Sequence, residues 1–134
     1  MHATVSVPGS KSETNRVLLL AALSDGPSAV RGGLDARDTR LMRAALRQLG
    51  VQIDDSGDEW HITPPRQLHG DGIIDCGLAG TVMRFVPPLA AISEGAILFD
   101  GDEAARTRPM RPLIDALADM GAVIDDAESL PFAV

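Results

Sequence analysis

PGSKSETNR at residues 8–16 places a glycine turn between a strand pattern and an apolar helix pattern. The alternating residues 4–7 predict a strand, and the seven consecutive apolar residues 17–23 predict a helix that is buried on all sides. Ser10 or Ser12 is a natural N-cap for this helix. The order of strand, glycine turn and helix indicates an α/β fold, and the first backbone N–H groups of the helix can face an anion.

Two cationic side chains strengthen the prediction of an anion site at this turn. Lys11 is the only lysine in the chain, and Arg16 lies four residues after Ser12 on the same helical face. The alternative is a pair of solvated charges, but positive charge is mildly unfavourable at the start of a helix. We therefore favour a phosphate or carboxylate site. A nucleotide-binding P-loop is excluded, because Val5 and Ser10 replace the glycines of that motif.

Composition restricts the classes of function. The chain has 134 residues, 45% of them hydrophobic, and a formal net charge of -7, which argues against a general nucleic-acid or anionic-membrane surface. No apolar run approaches the roughly 20 residues of a membrane span, and no signal peptide is visible. The single Cys76 excludes an internal disulfide, and with three histidines it gives no metal-ligand spacing. We expect a cytoplasmic protein without a metal.

The second half of the chain repeats the pattern of the first. A strand pattern ending in glycine recurs at residues 73–77. Two further segments recur in the same order, roughly 70 residues later: AALSDG at 21–26 matches AAISEG at 90–95, and LGVQIDD at 49–55 matches MGAVIDD at 120–126. We predict two βαβαββ units, one at about residues 1–66 and one at about residues 67–134.

The repeat creates a second glycine turn, GLAGT at residues 77–81. Gly80 would let a ligand approach bare backbone N–H groups, although a packing role is equally compatible with the pattern. Arg84 follows this turn as Arg16 follows the first. Pro87 and Pro88 predict a kinked or shortened helix after it.

Arg108 is a third candidate contact, because it directly precedes a helix start made by Pro109. A guanidinium group at that place could bind a carboxylate or phosphate in bidentate fashion. Taken alone, the pattern favours a surface arginine paired with Asp102 or Glu103.

Three runs together resemble the 5-enolpyruvylshikimate-3-phosphate synthase family. They are PGSKSETNRVLLLAAL at 8–23, CGLAGTVMRFVPPLAA at 76–91 and DGDEAARTRPMRPLIDAL at 100–117, in the order and spacing of the family. The resemblance implies transfer of the enolpyruvyl group of phosphoenolpyruvate to the 5-hydroxyl of shikimate 3-phosphate, with release of phosphate. It implies no metal and no organic cofactor.

The resemblance also implies roles for five residues. Lys11 would contact both substrates and assist proton transfer, Ser12 and Arg16 would hold shikimate 3-phosphate, and Gly80 and Arg108 would bind phosphoenolpyruvate. Leu78 stands where the family commonly has Asn, so a polar contact near phosphoenolpyruvate would be absent or replaced.

The family fold implied is an inside-out α/β barrel domain, with helices packed inward and mixed sheets outside. Three repeat units form each of two such domains, and the active site lies between them. This chain would supply two units of one domain. We therefore expect the isolated chain to be inactive and to associate with itself through the apolar face that a third unit would cover.

Two other functions are considered. One is a non-catalytic anion-binding module that keeps the shikimate phosphate site. The other is a fragment of an amino-sugar enolpyruvyl transferase. That family lacks the GSKS-x3-R signature, and Cys76, which ends a strand pattern, does not match its loop cysteine.

Overall fold

A computed structural model of the chain describes residues 2–5 and 7–134 as a mixed α/β fold with two small sheets. The helices are α1 (Lys11–Ala22), α2 (Arg37–Gln48), α3 (Gly80–Ala91), α4 (Glu103–Arg106) and α5 (Arg111–Asp119). The strands are β1 (Ser28–Arg31), β2 (Gln52–Asp54), β3 (Glu59–Thr63), β4 (Gly72–Asp75), β5 (Ile97–Asp100) and β6 (Phe132–Ala133). The predicted α/β class is confirmed.

Each sheet contains three strands. The first has the order β1-β3-β2 with antiparallel pairs, and β2 and β3 are consecutive strands that form a hairpin. The second has the order β4-β5-β6, in which β4 and β5 are parallel and β5 and β6 are antiparallel.

The apolar core lies between the helices and the sheets. Helices α1, α2 and α3 pack against one another, and each also packs against at least one strand. Leu18 of α1, Leu46 of α2 and Val86 of α3 are fully buried, as are Ile62 and Phe99 on the two sheets. Among the described residues, no helix has both the length and the apolar character needed to span a bilayer.

Helix α1 differs from its prediction, because it is not buried on all sides. Leu18 and Leu19 are buried, whereas Val17, Leu20 and Leu23 have relative exposures of 42%, 70% and 51%. The side of α1 that faces α2, α3 and the first sheet is covered, and the described chain offers no partner for the opposite side. An apolar run alone does not reveal which side has a partner.

The predicted first strand at residues 4–7 is also wrong for the residues described there. Thr4, Val5 and Val7 belong to no strand, and Ser6 lies outside the described residues. Val5 and Val7 are both 80% exposed. A strand needs a neighbouring strand for its backbone hydrogen bonds, and no strand of the described chain pairs with this segment.

Helix α3 is not shortened by its two prolines. It has 12 residues, as α1 does, and it continues through Pro87 and Pro88. Each proline removes one backbone donor. Val86 and Leu89, which flank the prolines, are buried in the core. This packing stabilises the proline-containing turn of α3 despite the missing hydrogen bonds.

We predict that Leu46→Ala destabilises the chain by about 2–5 kcal/mol, because truncation of this fully buried side chain leaves a cavity in the core. The matched control is Leu20→Ala on the exposed side of α1, with an expected change within about 0.5 kcal/mol. Urea unfolding at low protein concentration measures both. Equal losses for the two variants would contradict this description of the core.

Candidate anion-binding site

The start of α1 is organised by Ser10. Its backbone is extended, with φ -75° and ψ 126°, and its hydroxyl accepts a hydrogen bond from the N–H of Glu13 at 3.3 Å. Ser10 is therefore the N-cap, which decides between the two serines proposed from the sequence. Ser12 lies in the first turn with an exposed side chain. Its hydroxyl and the neighbouring N–H groups are available to a ligand.

Lys11 is held by a carboxylate from another helix. Its Nζ lies 2.9 Å from Oδ2 of Asp38, in the first turn of α2. Asp38 itself does not cap α2, because Ala36 is the N-cap and the Thr39 hydroxyl accepts from the Ala36 N–H at 2.9 Å. The Lys11 side chain remains 51% exposed, so the ion pair orients the ammonium group without enclosing it.

The second glycine turn brings two guanidinium groups to the start of α3. A Cβ atom added to Gly80 would lie 3.4 Å from Nη1 of Arg84 and 3.5 Å from Nη1 of Arg108. Arg108 Nη1 also donates to the Leu78 carbonyl at 3.1 Å. The α3 N-cap, Ala79, has no side chain that can accept a hydrogen bond. Backbone donors and two cations therefore converge on Gly80.

Arg108 does not form the surface ion pair that its loop sequence favoured. The Asp102 carboxylate binds Arg37 instead, and Arg106 forms the pair with Asp100. Within residues 2–5 and 7–134, no carboxylate lies within ion-pair distance of Arg108, of Arg84 or of Arg16. The Arg16 guanidinium lies over the Phe85 ring, 5.9 Å from its centroid. These three cations can accept an anionic ligand without losing a carboxylate partner.

A part-buried hydrogen bond joins the two helix starts. Asn15 of α1 is fully buried and donates through Nδ2 to Oγ1 of Thr81 at 2.6 Å. Its Oδ1 has no hydrogen-bond partner within the described part of the chain. The structure thus places the first turn, which carries Lys11, Ser12 and Arg16, beside the second turn. Gly80 belongs to that second turn, and Arg108 lies next to it.

Sequence reasoning missed three residues of this arrangement. Asn15 carried a signal, because it lies three and four residues before Leu18 and Leu19, on an apolar face of the helix where a polar side chain needs a hydrogen-bond partner. Thr81 and Asp38 carried none, since hydroxyl and carboxylate groups are common in the first turn of any helix. The described residues contain no group of three or more His, Cys, Asp or Glu side chains that could hold a metal ion.

Fold and site together define an α/β protein whose cationic side chains gather at two adjacent helix starts. A family model described as EPSP synthase (3-phosphoshikimate 1-carboxyvinyltransferase) matches residues 1–134. The chain belongs to the EPSP synthase family. The family resemblance found in the three sequence runs is therefore confirmed.

Individual relatives agree with this assignment. A 3-phosphoshikimate 1-carboxyvinyltransferase of Mycobacterium ulcerans (strain Agy99) is 52% identical over 138 residues, covering 100% of this chain and 32% of the relative. Two solved structures of EPSP synthase from Acinetobacter baumannii have TM-scores of 0.83 and 0.82 at 25% and 26% identity. They cover 97% and 96% of this chain and 31% of theirs. The chain spans about a third of the length of these relatives.

Cys76 lies directly before the second turn and should be inert there. It is fully buried. Burial is the main cause that raises the pKa of its thiol to about 12, and the negative charges of Asp75 and Asp100 add to this effect.

We predict that iodoacetamide near pH 8 leaves Cys76 of the folded chain unmodified and alkylates it in guanidinium chloride, because only the thiolate reacts. Mass spectrometry follows the modification, and rapid labelling of the folded chain would contradict this environment.

Proposed function

We propose that this chain supplies part of the active site of an enzyme that transfers the enolpyruvyl group of phosphoenolpyruvate to the 5-hydroxyl of shikimate 3-phosphate. This is the reaction of a 3-phosphoshikimate 1-carboxyvinyltransferase, the name of the relative that is 52% identical. The observation that carries the proposal is the gathering of Arg16, Arg84 and Arg108 at two adjoining helix starts. Both substrates are phosphorylated carboxylates, and such cations bind both groups.

The first turn is proposed to hold shikimate 3-phosphate. Ser12 offers its hydroxyl and its backbone N–H, and Arg16 supplies a guanidinium group on the same helix. Lys11 is proposed to contact both substrates, because it projects from the same first turn and is only half-buried. Its pairing with Asp38 at 2.9 Å gives the ammonium group a fixed direction before a substrate arrives.

The second turn is proposed to bind phosphoenolpyruvate. Gly80 leaves room for an anion between the guanidinium groups of Arg84 and Arg108. A side chain at that position would occupy the space nearest to both cations. The apolar Leu78 offers only its backbone here, and its carbonyl orients Arg108.

The proposed chemistry is addition followed by elimination. The 5-hydroxyl gives up its proton as its oxygen attacks C2 of phosphoenolpyruvate, and C3 gains a proton, which gives a tetrahedral intermediate. C3 then loses a proton as the bond from C2 to the phosphate oxygen breaks, and the departing phosphate takes up a proton. Lys11 is proposed to assist proton transfer, and the arginines stabilise the charge on the departing phosphate.

Further parts of the proposal concern the whole protein. We assign the chain to two repeat units, one at about residues 1–66 and one at about residues 67–134. A close contact between two glycine turns occurs in each unit and supports this assignment. A Cβ atom added to Gly9 would lie 2.4 Å from the Gly32 carbonyl oxygen, and one added to Gly101 would lie 2.6 Å from the Gly77 carbonyl oxygen.

The reaction is assigned to cytoplasmic synthesis of chorismate and aromatic amino acids. The isolated chain is expected to be inactive.

The function is tested in a chimaera in which this chain replaces the matching third of the Mycobacterium ulcerans relative. We expect phosphate release that requires both substrates. Arg108→Gln should lower the rate about 100-fold, as expected for loss of one preorganised cationic donor. Arg66→Gln, at an exposed arginine away from both turns, is the matched control. A folded chimaera without activity, or equal rates for the two variants, would refute the proposal.

Self-association of the isolated chain is a separate expectation. Leu20, Ile92 and Met120 have relative exposures of 70%, 67% and 84%, which leaves apolar surface on α1 and after α3 and α5. Burial of such surface between copies is favourable. Sedimentation velocity at several concentrations should show a rising mean mass, and Leu20→Glu should reduce it. A monomer at every concentration would contradict the expectation.

A further inference from the structure

Arg37 and Asp102 form a bidentate ion pair between the two halves of the chain. Nη1 of Arg37 lies 2.8 Å from Oδ2 of Asp102, and Nη2 lies 2.9 Å from Oδ1. Arg37 is the first residue of α2, and Asp102 directly precedes α4. Two parallel N–H···O bonds fix direction as well as distance, which a single contact between point charges does not.

Both partners of this pair also contact the second glycine turn. A Cβ on Gly77 would lie 3.0 Å from Nη2 of Arg37, so the guanidinium group lies directly against this residue. Gly77 has a φ of +50°, a conformation that favours glycine. The N–H of Asp102 donates to the Gly77 carbonyl at 2.9 Å. Arg37, Asp102 and Gly77 therefore form one contact cluster at the base of the turn.

A short path leads from Asp102 to Arg108. The Asp102 carbonyl accepts hydrogen bonds from the N–H groups of Ala105 and Arg106, at 2.8 and 3.2 Å, and the Arg108 N–H donates to Ala105 at 3.0 Å. The Asp102 side chain makes no cap bond to α4, and its hydrogen bond to Arg37 is the main cause of its lowered pKa. The Asp102 carboxylate therefore binds Arg37 and does not cap α4.

The residue next to Arg37 makes the corresponding contact to the first turn. Asp38 binds Lys11 at 2.9 Å, while Arg37 binds Asp102 and lies against Gly77. Two consecutive residues at the start of α2 therefore connect this helix to both turns. A displacement of this helix start would change the position of Lys11 relative to Gly80 and Arg108.

We propose that Arg37 and Asp102 are positioning residues that fix the phosphoenolpyruvate half of the site against the shikimate 3-phosphate half. This inference rests on the function proposed above. The ion pair is exposed, with side-chain exposures of 61% and 39%, and exposed pairs contribute little to folding stability. Its effect lies in the placement of Gly77 and Arg108, and so in the binding of the second substrate.

The kinetic test uses the chimaera defined above. Arg37→Gln and Asp102→Asn should each raise the KM for phosphoenolpyruvate about tenfold, the effect of one charge-assisted hydrogen bond, with the KM for shikimate 3-phosphate unchanged within about twofold. Arg37→Asp combined with Asp102→Arg should recover most of the loss. The control is Arg40→Gln on the same helix, which breaks an exposed pair with Asp35. Unchanged constants, or equal effects in the control, would overturn the proposal.

A second readout does not depend on activity. In the 134-residue chain, amide NMR spectra of Arg37→Gln and Asp102→Asn should show shifts at residues 77–81 and 102–108, and the reversed pair should restore them. Spectra unchanged at residues 77–81 would overturn the inference even if the chimaera is active. An inactive unaltered chimaera with the shifts present would refute the proposed function and leave the positioning role supported.

Discussion

The burial of α2 against both α1 and α3 is the constraint on which the candidate site depends. Met42 and Leu46 of α2 are fully buried, and Ala45 is 1% exposed. Because this face is fixed in the core, the first turn of α2 emerges between the two glycine turns. Arg37 and Asp38 then contact one turn each. Packing in the interior thereby sets the geometry of charges at the surface.

The distribution of charge separates structural cations from candidate ligand contacts. Arg43 is 5% exposed, binds Asp35 and Asp55, and lies 4.1 Å from the centre of the Trp60 ring. Such a buried cation needs its carboxylates, since an uncompensated charge there would be very unfavourable. Hydrogen bonding to Arg40 comes first among the causes that lower the pKa of Asp35 to about 2. Arg16, Arg84 and Arg108 lack such carboxylates in the described chain, which suits them to an external anion.

Local features of the fold followed from the sequence, and features that need a distant partner did not. The N-cap at Ser10 depends on neighbouring residues, so a short pattern predicts it. The exposure of Leu20 and the missing strand at residues 4–7 depend on which surfaces find a partner. The same distinction applies to the candidate site. Lys11 and Arg16 were visible as cations at a helix start, whereas the Asp38 contact to Lys11 joins segments that only folding brings together.

The central claim is that the two helix starts form one site for phosphorylated carboxylates. The most direct measurement is a titration of the ¹⁵N-labelled 134-residue chain with shikimate 3-phosphate, followed by two-dimensional amide NMR. We predict saturable shifts at residues 11–16, with smaller ones across the Asn15–Thr81 hydrogen bond at the start of α3. A well-dispersed spectrum that shows no shift at either turn, or saturable shifts confined to another surface, would contradict the account.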